Sequence, residues 1–186
     1  MRQLKVVAIA GSLRQESYNR KILQVAKKFA SELGASVEEV DLKQLALPIY
    51  DGDIEAQGLP VSVQQLKATI EKVDVLLIAT PEYNYSITGA LKNAIDWLSR
   101  GKNSLDGKAA AIFGASTSIL GTVRSQTHLR VILEALNVIV VPQPQIFIRS
   151  AAQAFAPDWT LKDEMASQLL KDLIRNTLEL AGKLKE

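Results

Sequence analysis

Two short stretches of this chain carry residue types that could do chemistry. The first, Gly11-Ser-Leu-Arg-Gln-Glu-Ser-Tyr-Asn19, follows the apolar run Val6 to Ala10 and leads directly into a helical pattern. A helix N-terminus leaves backbone N–H groups unpaired and carries partial positive charge, so an anion placed there meets donors that water would otherwise satisfy. Ser12, Ser17 and Asn19 can add side-chain donors and Arg14 a permanent charge, which together suit a phosphate group. Taken alone, the same loop also reads as an ordinary βα turn with a serine N-cap. The second stretch, Thr80-Pro-Glu-Tyr-Asn-Tyr-Ser86, offers Pro81 and tyrosine rings as flat apolar walls, with Asn84 and backbone groups for polar edges. A flat heteroaromatic phosphate ester fits the two stretches combined.

The elements that must position these loops follow from apolar periodicity. Nearly continuous apolar runs at Val6–Ala10, Val73–Ala79, Ala109–Ala115 and Val138–Val141 predict strands buried on both faces, and Val37–Leu42 predicts a weaker fifth. Between them Ile22, Val25, Ala26, Phe29, Ala30 and Leu33 share one helical face. Val63, Leu66 and Ile70 mark a second helix, and Leu91, Ala94, Ile95 and Leu98 a third. Leu129, Ile132, Leu133 and Leu136 give a fourth, and Leu169, Leu170, Leu173, Thr177 and Leu180 a fifth. Alternation of this kind predicts a doubly wound α/β fold, a five-stranded parallel sheet with helices on both faces. In such sheets the ligand lies beyond the carboxyl ends of the strands, which here are followed by residues 11–19, 80–88 and 116–122. The segments Pro48–Pro60 and Pro142–Pro157 read as surface excursions. No repeat or linker divides residues 1–186, so one domain is expected.

Composition removes several classes of function. Lys plus Arg number 22 against 20 Asp plus Glu, and a net charge of +2 argues against nucleic acid as a partner. With no cysteine and one histidine, thiol chemistry, disulfides and a Cys- or His-built metal site are excluded, so no metal is expected. Neither a signal-peptide pattern nor an apolar stretch near the roughly 20 residues of a membrane span is present, so a cytoplasmic protein without membrane partners is expected.

The residues then resemble a known family. Gly11-Ser12-Leu13-Arg14 with Ser17 and Asn19, Pro81-Glu82-Tyr83-Asn84 with Ser86, and Gly89 with Leu91-Lys92-Asn93-Ala94-Ile95-Asp96-Trp97 are similar to the NADPH-dependent FMN reductases, flavodoxin-like flavoproteins that include bacterial chromate, quinone and azo reductases. The likeness runs from about residue 4 to about residue 148, and Tyr85-Ser86 and Trp97-Leu98-Ser99-Arg100 bring it nearest the chromate reductase branch. It implies bound FMN, with Ser12, Leu13, Arg14, Ser17, Tyr18 and Asn19 around the phosphate, Pro81, Glu82, Tyr83, Asn84 and Ser86 along the isoalloxazine, and Ser116 against the flavin. After Ser116 the chain reads Thr-Ser-Ile-Leu-Gly-Thr122, where relatives carry more glycine, so the far flavin wall departs from the pattern.

The implied chemistry is hydride transfer from NADPH or NADH to FMN and then to quinones, free flavin, chromate, azo or nitro compounds, in a ping-pong cycle. The cofactor carries that chemistry, so no catalytic side chain is nominated. Glu82 divides between a local cap and a flavin contact, and Trp97 reads as core or interface. Asp96 reads as a solvated or capping carboxylate, Arg100 and Arg124 as surface or interface charges, and His128 as a structural or subunit-contact residue. The resemblance also implies a homodimer or homotetramer. The alternative function is a flavodoxin-type electron-transfer module without NAD(P)H turnover, against which the charge of +2 and Arg14 count.

Overall fold

The computed structural model describes residues 2–185. Three strands form the centre of one parallel sheet: β1 (Lys5–Ala10), β3 (Val75–Ala79) and β4 (Ala109–Ala115), and apart from Lys5 every residue in them is buried. Strand β2 (Ser36–Val40) lies at one edge, β5 (Ile139–Val140) lies beyond β4, and the order β2-β1-β3-β4-β5 is that of a flavodoxin-like sheet. Register is set by the apolar runs, with Val6 opposite Val75 and Val75 opposite Ala109.

Because side chains alternate across a strand, the two faces build two cores. Val6, Ala8, Val75 and Leu77 face α1 (Tyr18–Glu32) and α8 (Glu164–Lys183), where Ile22, Ala26, Leu170, Leu173 and Ile174 are buried. Val7, Ile9, Leu76 and Ile78 face α4 (Val61–Glu71), α5 (Gly89–Ser99) and α6 (Val123–Ala135), which bury Leu66, Ile70, Leu91, Leu98, Leu129 and Leu133. At about 1.5–3 kcal/mol for each large apolar side chain removed from water, these layers dominate the stability that orders the loops above them.

The fifth strand position differs from expectation. In place of one strand over Val138–Val141, β4 is flanked by two short strands, β5 (Ile139–Val140) beside its first residues and β6 (Ile146–Ile148) beside its last three. Pro142 and Pro144 lack the N–H that a ladder needs, and the chain steps out between them before Ile146 resumes pairing. Part of the expected Pro142–Pro157 excursion is therefore sheet, followed by α7 (Ala151–Ala154). Short helices α2 (Leu42–Leu45) and α3 (Gly52–Ala56) follow β2. The chain between them is fixed to α5: Pro48 C=O accepts from Asn93 Nδ2 and Trp97 Nε1, both at 2.8 Å, and Asn93 Oδ1 accepts from Tyr50 N–H. Trp97 is fully buried, the core role among those expected of it.

Candidate functional site

Strand order reverses between β1 and β3, and the loops leaving their carboxyl ends are stitched to each other and to β4. Gly11 N–H donates to Ala79 C=O at 2.8 Å, and Thr80 N–H to Phe113 C=O at 2.9 Å. Thr88, the N-cap of α5, donates its hydroxyl to Gly11 C=O. Gly11 lies so close to this corner that a Cβ would meet Pro81 Cδ and Leu91 Cδ2 at 3.1 Å. At Gly114 the approach is tighter: a Cβ there would meet Thr122 Oγ1 at 2.2 Å and the Thr80 carbonyl at 2.3 Å.

Within the first loop, Ser17 caps α1 by accepting from Asn19 N–H at 3.2 Å, and the buried Ser12 accepts from Arg14 N–H at 3.3 Å. Both hydroxyls keep their protons to donate. Among the described residues, no protein acceptor takes the N–H of Leu13, Gln15, Glu16 or Tyr18, and the exposed Arg14 guanidinium has no ion-pair partner. A helix N-terminus with free amides, two hydroxyls and one unopposed cation is the donor set a phosphate monoester requires, and on that chemistry the residues fit FMN.

Asn19 and Tyr18 do something more specific than the sequence suggests. The Asn19 amide forms a paired contact with the main chain of Ala115, donating to its C=O at 2.9 Å and accepting from its N–H at 3.0 Å. It thereby ties the phosphate turn to the end of β4. The Tyr18 ring stacks on Phe155 at 6.2 Å with 7° between the planes. Ser116 N–H donates to Ile148 C=O, and its hydroxyl accepts from Ser118 N–H at 3.1 Å while keeping a proton to donate. Leu13, in the first loop, is exposed.

The second loop is a tight hairpin. Tyr83 and Ser86 exchange both backbone hydrogen bonds, at 3.0 and 3.1 Å, and Asn84 and Tyr85 between them have φ of 47° and 68°. Two left-handed residues in succession define a type I′ turn, a conformation that asparagine tolerates and tyrosine resists. The strain is held by the preceding residue. Glu82 accepts from the N–H groups of Arg124 and Ser125 at 3.0 and 3.3 Å and from the Arg124 guanidinium at 3.2 Å. It caps α6, whose own Thr122 makes no side-chain cap bond, so of the two roles expected for Glu82 its side chain takes the cap. Arg124 lies over the Tyr85 ring at 4.0 Å, which makes it part of this corner rather than a free surface charge. His128, one turn further along α6, has Nδ1 3.0 Å from Ser86 Oγ. Arg124 and His128 escape a sequence reading because nothing in their local pattern points to residues 42 positions earlier.

Asp96 pairs with Lys92 at 2.6 Å on the exposed side of α5, and Arg100 lies over Tyr50 at 5.2 Å; both stand apart from the loops. Among the described residues no cluster of three or more histidine or carboxylate groups could hold a metal, and no helix is long and apolar enough to cross a membrane.

A flavodoxin-like sheet with a donor-rich turn at its switch point is the arrangement in which α/β proteins bind nucleotide-type ligands. The comparisons agree with that class: the family model for NADPH-dependent FMN reductases matches residues 4–153. The chain is 43% identical to an NAD(P)H-dependent FMN reductase of Pseudomonas aeruginosa, covering 92% of each chain. It is 41% identical to an NAD(P)H:quinone oxidoreductase of Solanum tuberosum, covering 98% of this chain and 95% of that one. Among solved structures it resembles the flavoenzyme NAD(P)H:(acceptor) oxidoreductase FerB of Paracoccus denitrificans, with a TM-score of 0.87 and 34% identity over 97% of this chain and 98% of that one. The chain belongs to the NADPH-dependent FMN reductase family. It is an NAD(P)H-dependent flavin oxidoreductase with FMN as cofactor and quinones among its acceptors.

Proposed function

We propose that Ser12, Leu13, Arg14, Ser17, Tyr18 and Asn19 form the FMN phosphate site, and that Pro81, Glu82, Tyr83, Asn84, Ser86 and Ser116 border the isoalloxazine. The observation that carries this reading is the set of unpaired N–H groups leading into α1, beside the uncommitted Arg14, on the loop whose Gly11 packs against Pro81. Asn19 acts there by positioning, through Ala115, and Glu82 by fixing the hairpin, through α6. When bound, FMN supplies the two-electron chemistry, accepting hydride from NAD(P)H and passing it on. The protein holds the phosphate, walls the ring with Pro81 and Tyr83, and leaves one face open so that nicotinamide and acceptor use it in turn. An open face discriminates poorly, and chromate, azo and nitro compounds join quinones and free flavin as acceptors.

The described residues act as a single FMN-binding domain in a cytoplasmic homodimer or homotetramer. The exposed Val123, Thr127 and Val131 on α6, with the exposed Tyr83 and Tyr85, are the surface another subunit would cover to complete the site. The visible spectrum before and after anaerobic NADPH tests the reading. A yellow protein that bleaches supports it; a colourless protein that takes up no FMN, or a yellow one that NADPH leaves oxidised, overturns it.

A further inference from the structure

Reducing a quinone to a hydroquinone consumes a hydride and a proton, and the flavin chemistry provides only the first. We propose that the His128 imidazole is the proton donor to quinone acceptors and that Ser86 positions it, a role that rests on the placement of the isoalloxazine beside residues 81–86. His128 is the only histidine of the chain, and no cysteine is present, so it is the one side chain here whose chemistry suits proton transfer in neutral water.

The groups around it support that task. On the hairpin, both backbone groups of Ser86 are bonded to Tyr83, which fixes where its hydroxyl lies, and that hydroxyl meets Nδ1 at 3.0 Å. With Nδ1 engaged, Nε2 has no protein partner among the described residues and is the nitrogen left to exchange a proton. The charges facing this corner are Glu82 from the loop and Arg124 from α6, and they are committed to each other, with Glu82 accepting three bonds. In the single chain His128 is exposed.

The step balances as NAD(P)H + H⁺ + quinone → NAD(P)⁺ + hydroquinone. The electron pair and its hydrogen, originating on NAD(P)H, arrive at the quinone, and an O–H bond forms at one carbonyl oxygen. The ring becomes aromatic, and the second oxygen takes the proton as the Nε2–H bond of the imidazolium breaks. Water then returns a proton to Nε2. NAD(P)H is oxidised and the quinone reduced.

Ferricyanide takes single electrons and no proton, so the ratio of quinone to ferricyanide turnover isolates the proton step. In FMN-loaded His128→Gln, which retains a hydrogen-bonding group, this ratio should fall on the order of 10²-fold. Ser86→Ala, which keeps the imidazole but releases it, should lower the ratio by less. A binding readout is independent of turnover: because the chain has one histidine, its imidazole proton resonance is unambiguous, and adding benzohydroquinone to the oxidised FMN-loaded protein should move it. An unchanged ratio in His128→Gln, an equal loss with both acceptors, or an imidazole resonance that ignores hydroquinone overturns the proposal. A protein that takes up no FMN, or whose FMN is left oxidised by NADPH, would instead overturn the flavin-site reading on which it stands.

Discussion

The loop at residues 11–19, the proposed phosphate turn, and the hairpin corner leave adjacent strands and border one proposed site, yet their hydrogen-bonding states are opposite. In the turn, Leu13, Gln15, Glu16 and Tyr18 keep free N–H groups and Arg14 has no counter-ion among the described residues. In the corner, Tyr83 and Ser86 satisfy each other, Glu82 accepts three bonds, and Arg124 is held between Glu82 and Tyr85. An anion is bound best by donors that have nothing else to do, whereas a flat wall must keep its shape whether or not a ligand is there. The turn therefore stores binding capacity and the corner stores rigidity. Substitutions in the two should separate cleanly, the first changing affinity and the second stability.

Both regions rest on the carboxyl end of β4, and disturbing it should cost most. Gly114→Ala would drive a methyl group against Thr122 Oγ1 and the Thr80 carbonyl, neither of which is the free end of a flexible side chain. Overpacking of this kind should destabilise by roughly 3 kcal/mol. Urea unfolding should show the midpoint falling, with FMN retention lost alongside because turn and corner move together. A variant of wild-type stability would mean that this end of β4 is softer than its packing indicates.

The contrast itself is tested by a pair of substitutions. Arg14→Ala should weaken FMN binding by about 1–3 kcal/mol while leaving the unfolding curve of the FMN-free protein in place, since the side chain bonds to nothing in the protein. Glu82→Ala should do the reverse, lowering stability by about 1–2 kcal/mol through loss of the α6 cap and release of Arg124, with a smaller change in FMN affinity. Equilibrium dialysis with FMN and thermal unfolding of the FMN-free variants measure the two quantities. If both substitutions moved both quantities equally, the division of labour would be wrong.

The same contrast explains what could be read from the chain. The continuous apolar runs of β1, β3 and β4 are legible because both faces of those strands are buried, and the Ser17 cap is legible because its partner is two residues away. The free donors of the phosphate turn are equally local. The corner is not: Glu82 finds its partners at Arg124 and Ser125, and Ser86 meets His128, across 42 residues that no periodicity connects. The Asn19 amide looks like a free donor in sequence and is engaged by Ala115, 96 residues on. Ile146-Phe147-Ile148 was hidden for another reason, being three residues long beside two prolines; only its neighbour β4 makes it a strand.

The smallest predicted effect lies at the amino end of the sheet, the end opposite the proposed site, where saturation of the corner's kind recurs. Asp74 is buried; it accepts from Lys5 N–H at 2.9 Å and pairs with Arg2 at 3.2 Å and Lys185 at 2.9 Å. Burial alone would raise its carboxyl, but the Lys5 bond and the two cations outweigh that and hold it below the ordinary 3.8. A carboxyl lowered on folding contributes stability above its unfolded value, and that contribution is lost as pH falls through the still lower folded value. Asp74→Asn retains an acceptor for Lys5 and removes only the charge, so it should cost about 1 kcal/mol at neutral pH. The difference from wild type should shrink as pH drops below 3.8. Because Arg2 and Lys185 are largely exposed, 1 M salt should remove much of it as well, which the Glu82 cap, with its backbone donors, should resist. Unfolding curves of both variants at low and high salt would show whether rigidity at the corner comes from directed hydrogen bonds, as the geometry indicates, or from charge alone.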